Sequence, residues 1–271
     1  MGLHATIETG LQALTDTVCA FWPRSPSSAD RLAHCRLIAH RGVHDNRTTV
    51  ENTLTAFEKA EAAGVWGIEL DVRWTSDLTP VVFHDPDLRR IYGVDQRLDL
   101  FTRAELEARF PDIPTLSTVV ERFGGQMHLM IELKRGSFPD IRRQRGILKE
   151  ILGRFEPGRD FHLLALAPDT LVSFAVAPPE ALVAVAYYWS GRHSQWVLRN
   201  GWGGLCAHYL MMPEATVRKH HRRGQCVGTG YAMSRNCLFR ELNRGIDWIF
   251  TNQAAELQSI LNALRQSARG N

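Results

Sequence analysis

The chain has 271 residues, enough for one large domain or two small ones. Hydrophobic residues make up 44% and charged residues 23%, the proportions of an ordinary soluble globular protein. Its 32 basic and 29 acidic side chains leave a net charge of +3, too balanced for nucleic acid to be the main partner.

No stretch approaches the ~20 apolar residues that cross a bilayer, and Glu8 and Asp16 interrupt any secretory signal. Five scattered cysteines without a CxxC pair suggest neither a zinc knuckle nor a disulfide framework, so a cytoplasmic location is expected. Ile7, Leu11, Leu14, Val18 and Phe21 recur at helical spacing and predict a helix over 5–22. The stretch Pro23-Arg24-Ser25-Pro26-Ser27-Ser28 then reads as a linker. Residues 1–34 are therefore an N-terminal helical extension ahead of a main domain over 35–271. Its expected role is to cover part of that domain, because its polar face has no basic cluster to draw it to a membrane.

Apolar runs then alternate with helical patterns. Strands are predicted at 37–40, 67–73, 80–84, 127–133, 161–166, 182–188, 204–208, 225–229 and 247–250. Helices are predicted at 52–63, 115–123, 139–154, 169–176, 213–223, 235–244 and 254–268. The first is capped by Asn52 or Thr53 and stopped by Gly64. Alternation of this kind predicts an α/β protein with a parallel sheet, most plausibly a (β/α)₈ TIM barrel. An open doubly wound sheet is disfavoured, since no glycine-rich loop follows the first strand. The link from Arg73 to Pro80 is too short for a parallel crossover, so strands 67–73 and 80–84 should form a hairpin. A symmetric turn would set Asp71 opposite His84. The polar, turn-rich segment 85–114 reads as a short lid-like insertion after the His84 strand, at the face where barrel chemistry is built.

Chemistry concentrates at the strand ends. Glu69 and Asp71 stand two apart on one strand and share a face. Buried together they would repel, and a divalent cation resolves that by taking both as oxygen ligands. Glu132 ends a later strand and supplies a third. Either Mg²⁺ or Ca²⁺ suits such a set. His40 and His84 each follow an apolar run and can move protons near neutral pH. Arg41 and Lys134 are natural phosphate clamps, or else ion-pair partners of the carboxylates. The basic run Arg218–Arg223 reads as a solvated helix end.

The segments His40-Arg41-Gly42, Glu51-Asn52-Thr53, Ile68-Glu69-Leu70-Asp71, Val82-Phe83-His84-Asp85 and Ile131-Glu132-Leu133-Lys134 resemble the glycerophosphodiester phosphodiesterase family, within the PLC-like phosphodiesterase superfamily. The resemblance spans roughly residues 36–258. It implies a TIM barrel, a divalent metal, and hydrolysis of glycerophosphodiesters to glycerol 3-phosphate and an alcohol. It further implies that His40 and His84 form the acid–base pair and that Glu69, Asp71 and Glu132 hold the metal. Arg41 and Lys134 would contact phosphate, and Glu51 would be a ligand or a partner that orients Arg41. The implied partner is a small-molecule substrate, the protein being a monomer or homodimer with roles in glycerol and lipid metabolism. The second half departs from the family pattern. Leu164-Ala165-Leu166-Ala167 replaces Ser-Phe, Val227-Gly228-Thr229-Gly230-Tyr231 replaces a Trp-Thr strand, and Asn252 stands where aspartate is common. Two alternatives remain: a sphingomyelinase D-like lyase that leaves a cyclic phosphate, and a non-catalytic phosphodiester-binding barrel.

Overall fold

The computed structural model describes residues 17–136, 138–187 and 190–269. Its strands are β1 (Arg36–His40), β2 (Gly67–Trp74), β3 (Pro80–Val82), β4 (His128–Leu133), β5 (Phe161–Ala165), β6 (Leu182–Ala186), β7 (Gly204–His208), β8 (Cys226–Gly230) and β9 (Trp248–Thr251). The sheet order is β1-β9-β8-β7-β6-β5-β4-β2-β3, and a further β1–β2 pairing closes the ring. The eight strands other than β3 run parallel, with helices between them, so the molecule is a TIM barrel. The near-continuous apolar runs have a direct cause: a parallel strand covered by helices is buried on both faces. Leu37, Ile38 and Ala39 of β1 are all fully buried.

Alternation along each strand divides these residues between two cores. Leu37, Ile68, Leu129, Leu163, Ala184 and Leu205 face the helical ring. Ile38, Met130, Leu164, Val183, Cys206 and Trp248 fill the barrel interior. Helix boundaries follow local chemistry. Thr53 caps the Leu54–Ala63 helix by accepting from the Ala56 amide, and Gly64 ends it at φ 74°. Of the two caps considered, Asn52 is therefore the one left free for another task.

The hairpin exists, but its register differs from the symmetric expectation. Trp74 pairs with Pro80 and Val72 with Val82, which sets Phe83, not His84, opposite Asp71. The cause is a five-residue connection, Thr75–Thr79, with Leu78 in the left-handed region at φ 64°. The strand ends at Val82, so His84 lies in the loop beyond it. Among the helices between barrel strands, Ser190–Asn200 went unforeseen, as did the short Ala29–Ala33 helix before β1. The buried residues of Ser190–Asn200 are Ser190, Ser194 and Val197, a contact face too polar to register as hydrophobic periodicity.

The insertion 85–114 carries two short helices, Arg89–Tyr92 and Arg103–Arg109. Leu88, Leu98, Phe101, Leu106, Phe110 and Ile113 pack with Val81 and Phe83 into a small core of their own. Of the N-terminal extension, residues 1–16 lie outside the described part, and residues 17–21 are helical. The segment called a linker is pinned to the Arg235–Arg244 helix. Ser27 Oγ donates to Asn243 Oδ1 at 2.9 Å, and Asn243 Nδ2 donates to the Ser25 carbonyl at 3.0 Å. No described helix is long and apolar enough to cross a membrane. The five cysteines are free thiols.

Candidate active site

At the carboxyl ends of β1, β2 and β4 the chain gathers its charged residues. Glu69, Asp71 and Glu132 are buried and each offers an oxygen within 4.8 Å of the others, the one such acidic group among the described residues. Burial, then the charges of Asp71 and Glu132, push the Glu69 carboxyl well above its usual range. Burial works the same way on Asp71, yet Lys134 and Arg41 hold that carboxyl below the usual range. Burial also raises Glu132, against the pull of Lys134. Glu69 Oε1 is buried without a hydrogen-bond partner. An orphaned carboxylate oxygen beside two more carboxylates fits a hard divalent cation, which supplies the missing partner and cancels the repulsion.

The two cations expected as phosphate clamps are engaged with these acids. Lys134 Nζ stands 2.8 Å from Asp71 Oδ1 and 2.7 Å from Glu132 Oε1. Arg41 Nε lies 3.1 Å from Asp71 Oδ2, and Arg41 Nη1 donates to Glu51 Oε1 at 2.9 Å. Arg41 adopts φ 58°, a left-handed conformation rare for any residue with a Cβ, and its amide donates to Glu69 Oε2 at 3.1 Å. Gly42 follows at φ 82°, and a Cβ there would sit 2.8 Å from the Ala56 backbone. Only glycine lets the turn after Arg41 pass so close to the Leu54–Ala63 helix.

The histidines differ in what stands behind them. His40 Nδ1 pairs with Asn252 Oδ1 at 2.8 Å, an acceptor, so Nε2 keeps a lone pair. The Tyr231 hydroxyl lies 3.3 Å from that nitrogen. Burial, followed by the nearby Arg41 charge, pushes His40 down to about 3, so the ring is neutral. His84 Nδ1 pairs instead with the carboxylate of Asp85 at 2.6 Å. Burial lowers His84 as well, while Asp71 and Asp85 favour its proton.

Several partners escaped the sequence reading. Asn52, at φ 59°, donates Nδ2 to Asp71 Oδ2 at 2.8 Å and fixes that carboxylate. Asparagine tolerates this backbone region, the one local signal that could have singled it out. Arg90, from the insertion, donates Nη1 to Glu51 Oε2 at 2.9 Å and Nε to Asp85 Oδ2 at 2.5 Å. An unbroken chain of ion pairs, Arg41–Glu51–Arg90–Asp85–His84, thus links the loop after β1 to the loop after β3 through the insertion. Glu51 stands outside the acidic triad, as the partner that orients Arg41 and Arg90. In the other half of the barrel, Leu166, Tyr187, Leu210 and Met233 are exposed after β5, β6, β7 and β8.

Comparison with known proteins identifies the family and the fold. Residues 40–255 match the model of the glycerophosphoryl diester phosphodiesterase family. A glycerophosphodiester phosphodiesterase of Caldanaerobacter subterraneus subsp. tengcongensis is 38% identical over 112 residues, 37% of this chain and 45% of that protein. One from Bacillus altitudinis is 32% identical over 132 residues, 45% of this chain and 52% of that protein. The chain thus spans about half the length of the curated relatives it matches. Among solved structures, the glycerophosphodiester phosphodiesterase of Thermotoga maritima superposes with a TM-score of 0.70 at 24% identity, covering 84% of this chain and 98% of that one. An Oleispira antarctica phosphodiesterase in complex with its product sn-glycerol-3-phosphate gives 0.69 at 24% identity, covering 84% and 96%. At such identities these structures speak for the fold.

Proposed function

Because the chain belongs to the glycerophosphoryl diester phosphodiesterase family, we propose that it is a metal-dependent hydrolase of glycerophosphodiesters, releasing glycerol 3-phosphate and an alcohol. The observation that carries the reading is the asymmetric backing of two histidines around one acidic triad. His40, held neutral with Nε2 free, takes the proton from the attacking water. His84, its Nδ1–H held by the Asp85 carboxylate, gives the proton to the leaving alkoxide. Tyr231, its hydroxyl 3.3 Å from His40 Nε2, would orient that ring, and Arg41 and Lys134, held beside the triad by Asp71, would meet the phosphate oxygens.

Glu69, Asp71 and Glu132 would hold a divalent cation, Mg²⁺ or Ca²⁺, which supplies positive charge against the phosphate. Lys134 and Arg41 carry part of the same burden, and their contacts to Asp71 keep that carboxylate ionised as a ligand. Five free thiols suit the reducing cytoplasm in which we place the reaction.

The test is release of glycerol 3-phosphate from glycerophosphocholine and glycerophosphoglycerol with Mg²⁺ or Ca²⁺, followed by phosphorus NMR. Hydrolysis gives the open monoester; a cyclic phosphate signal would replace this reading with the lyase. Excess chelator is expected to abolish turnover, and Glu69→Gln to weaken metal binding measured by calorimetry. Full activity in chelator, or no turnover with any metal, overturns the assignment.

A further inference from the structure

A cavity of about 360 Å³ opens beside the acidic triad, on the side where Arg73 Nε donates to the His84 carbonyl at 2.7 Å. That volume lies within the ~300–1,000 Å³ of small-ligand sites. Its wall carries four cations, Arg73, Arg97, Lys134 and Arg135, against a single acid, Asp99. Two of the cations are already answered. Lys134 is held by Asp71 and Glu132, and Arg97 pairs with Asp99. The other two make no ion pair among the described residues. Arg73 is half-buried, lines the cavity, and makes its one side-chain hydrogen bond among the described residues through Nε, so the terminal nitrogens of its fork make none there. Arg135 is exposed at the rim and has no ion-pair or hydrogen-bond partner among the described residues. Trp74 and Leu98, both buried, close the apolar side.

Position gives this charge a direction. With His84 as the acid, the alcohol departs toward the segment that follows it, and Pro86 of that segment lines the cavity. Tyr231 packs on His40, its ring centroid 4.7 Å from the imidazole, and is not among the residues that line the cavity. Acidic side chains stand near Arg73, yet none forms an ion pair with it among the described residues, so its fork is open to a ligand anion. An anion at the far end of the leaving alcohol answers it. The guanidinium fork matches phosphate or carboxylate oxygens in pairs.

We propose that this cavity is the leaving-alcohol subsite, and that Arg73 and Arg135 select alcohols bearing their own phosphate monoester. The proposal rests on the phosphodiesterase reading above and narrows its substrate class. Glycerophosphodiesters with a cationic choline or a neutral glycerol become the poorer substrates.

The test compares glycerophosphoglycerol with its terminal phosphate monoester, two substrates that differ by one anion at the far end. Glycerophosphoserine reports on a carboxylate in the same place, and glycerophosphocholine on a cation. In the wild type, kcat/KM for the phosphomonoester is expected to exceed that for glycerophosphoglycerol by roughly tenfold or more, the worth of one charge-assisted pair. The preference should shrink as salt is raised. In Arg73→Gln/Arg135→Gln the ratio should fall toward one; Arg135→Gln alone, at an exposed position, keeps the test open should the double variant fold poorly. A wild-type ratio at or below one, or a ratio unchanged in both variants, overturns the proposal while turnover of glycerophosphoglycerol leaves the hydrolase reading standing. A carboxylate preferred over the phosphate overturns the assignment to phosphomonoesters. Failure to cleave any of the four removes the hydrolase reading and this proposal together.

Discussion

His40 and His84 look equivalent in the sequence, each closing an apolar run, and only their neighbours set them apart and carry the separate roles proposed for them. The acceptor behind His40 is a neutral amide 212 positions away; the acceptor behind His84 is the next residue. His84→Ala should lose ~10²–10⁴-fold in kcat on natural diesters. On a p-nitrophenyl ester, whose leaving group needs no proton, most of that loss should return. His40→Ala should stay slow on both. Equal losses on both esters for the two variants would show that the acid and base are not divided in this way. The two-residue spacing of Glu69 and Asp71 made the acidic pair readable from sequence, since strand geometry fixes which face they share. Asn52 was not readable, because its value lies in a left-handed backbone that carries its amide to Asp71. The engagement of Arg41 and Lys134 by the carboxylates was foreseen only as one of two options, for charge alone does not say which partner arrives first.

At the scale of elements, strands and helices were readable wherever one face is apolar, and failed where contact is polar. The Ser190–Asn200 helix packs serines inward, and the hairpin register turned on a single left-handed residue, Leu78. The insertion was visible as a polar interval, but its tie to the site was not. That tie is Arg90, which no local pattern connects to Glu51 across 39 positions. Burial would raise the Glu51 carboxyl, but hydrogen bonds from Arg90 and the charge of Arg41 bring it to about 2. Its folded value is below the ordinary 4.5, so its contribution is present above that pH and fades as pH falls toward 2. Arg90→Ala should release Asp85 from one side and let His84 swing. A roughly tenfold loss in kcat on natural diesters is expected, against little on the p-nitrophenyl ester. Faster amide exchange over 85–114 should accompany it. A loss that is equal on both esters would mark Arg90 as structural rather than as a positioning residue.

At the scale of the molecule, the sequence carried the alternation of strands and helices but not the closure of the ring, which β1 completes by pairing with both β2 and β9. Far from the triad, at the other end of the barrel, His128 Nε2 and His162 Nδ1 meet at 2.7 Å between Trp66 and Trp248. Burial pushes these two rings down to about 4 and about 3. The unfolded chain binds both protons below its ordinary 6.5, and the folded chain does not until about 4. Stability is therefore full above pH 6.5 and falls as pH drops toward 4, by about 1.4 kcal/mol per proton per pH unit. His162→Leu should make the denaturant midpoint less dependent on pH across that window. An unchanged dependence would mean the pair is already protonated in the folded barrel.

The β1–β9 pairing also sets a clock. Every charged group of the triad has been synthesised by Lys134, yet His40 is oriented by Asn252, and β1 finds its last neighbour only when Trp248–Thr251 arrives. Until then the growing sheet presents β1 and its most recently added strand as open parallel edges, the slow and aggregation-exposed stage of such a topology. On the ribosome this chain thus carries its acidic triad long before the triad's surroundings exist, and the site is assembled only by one of its last strands.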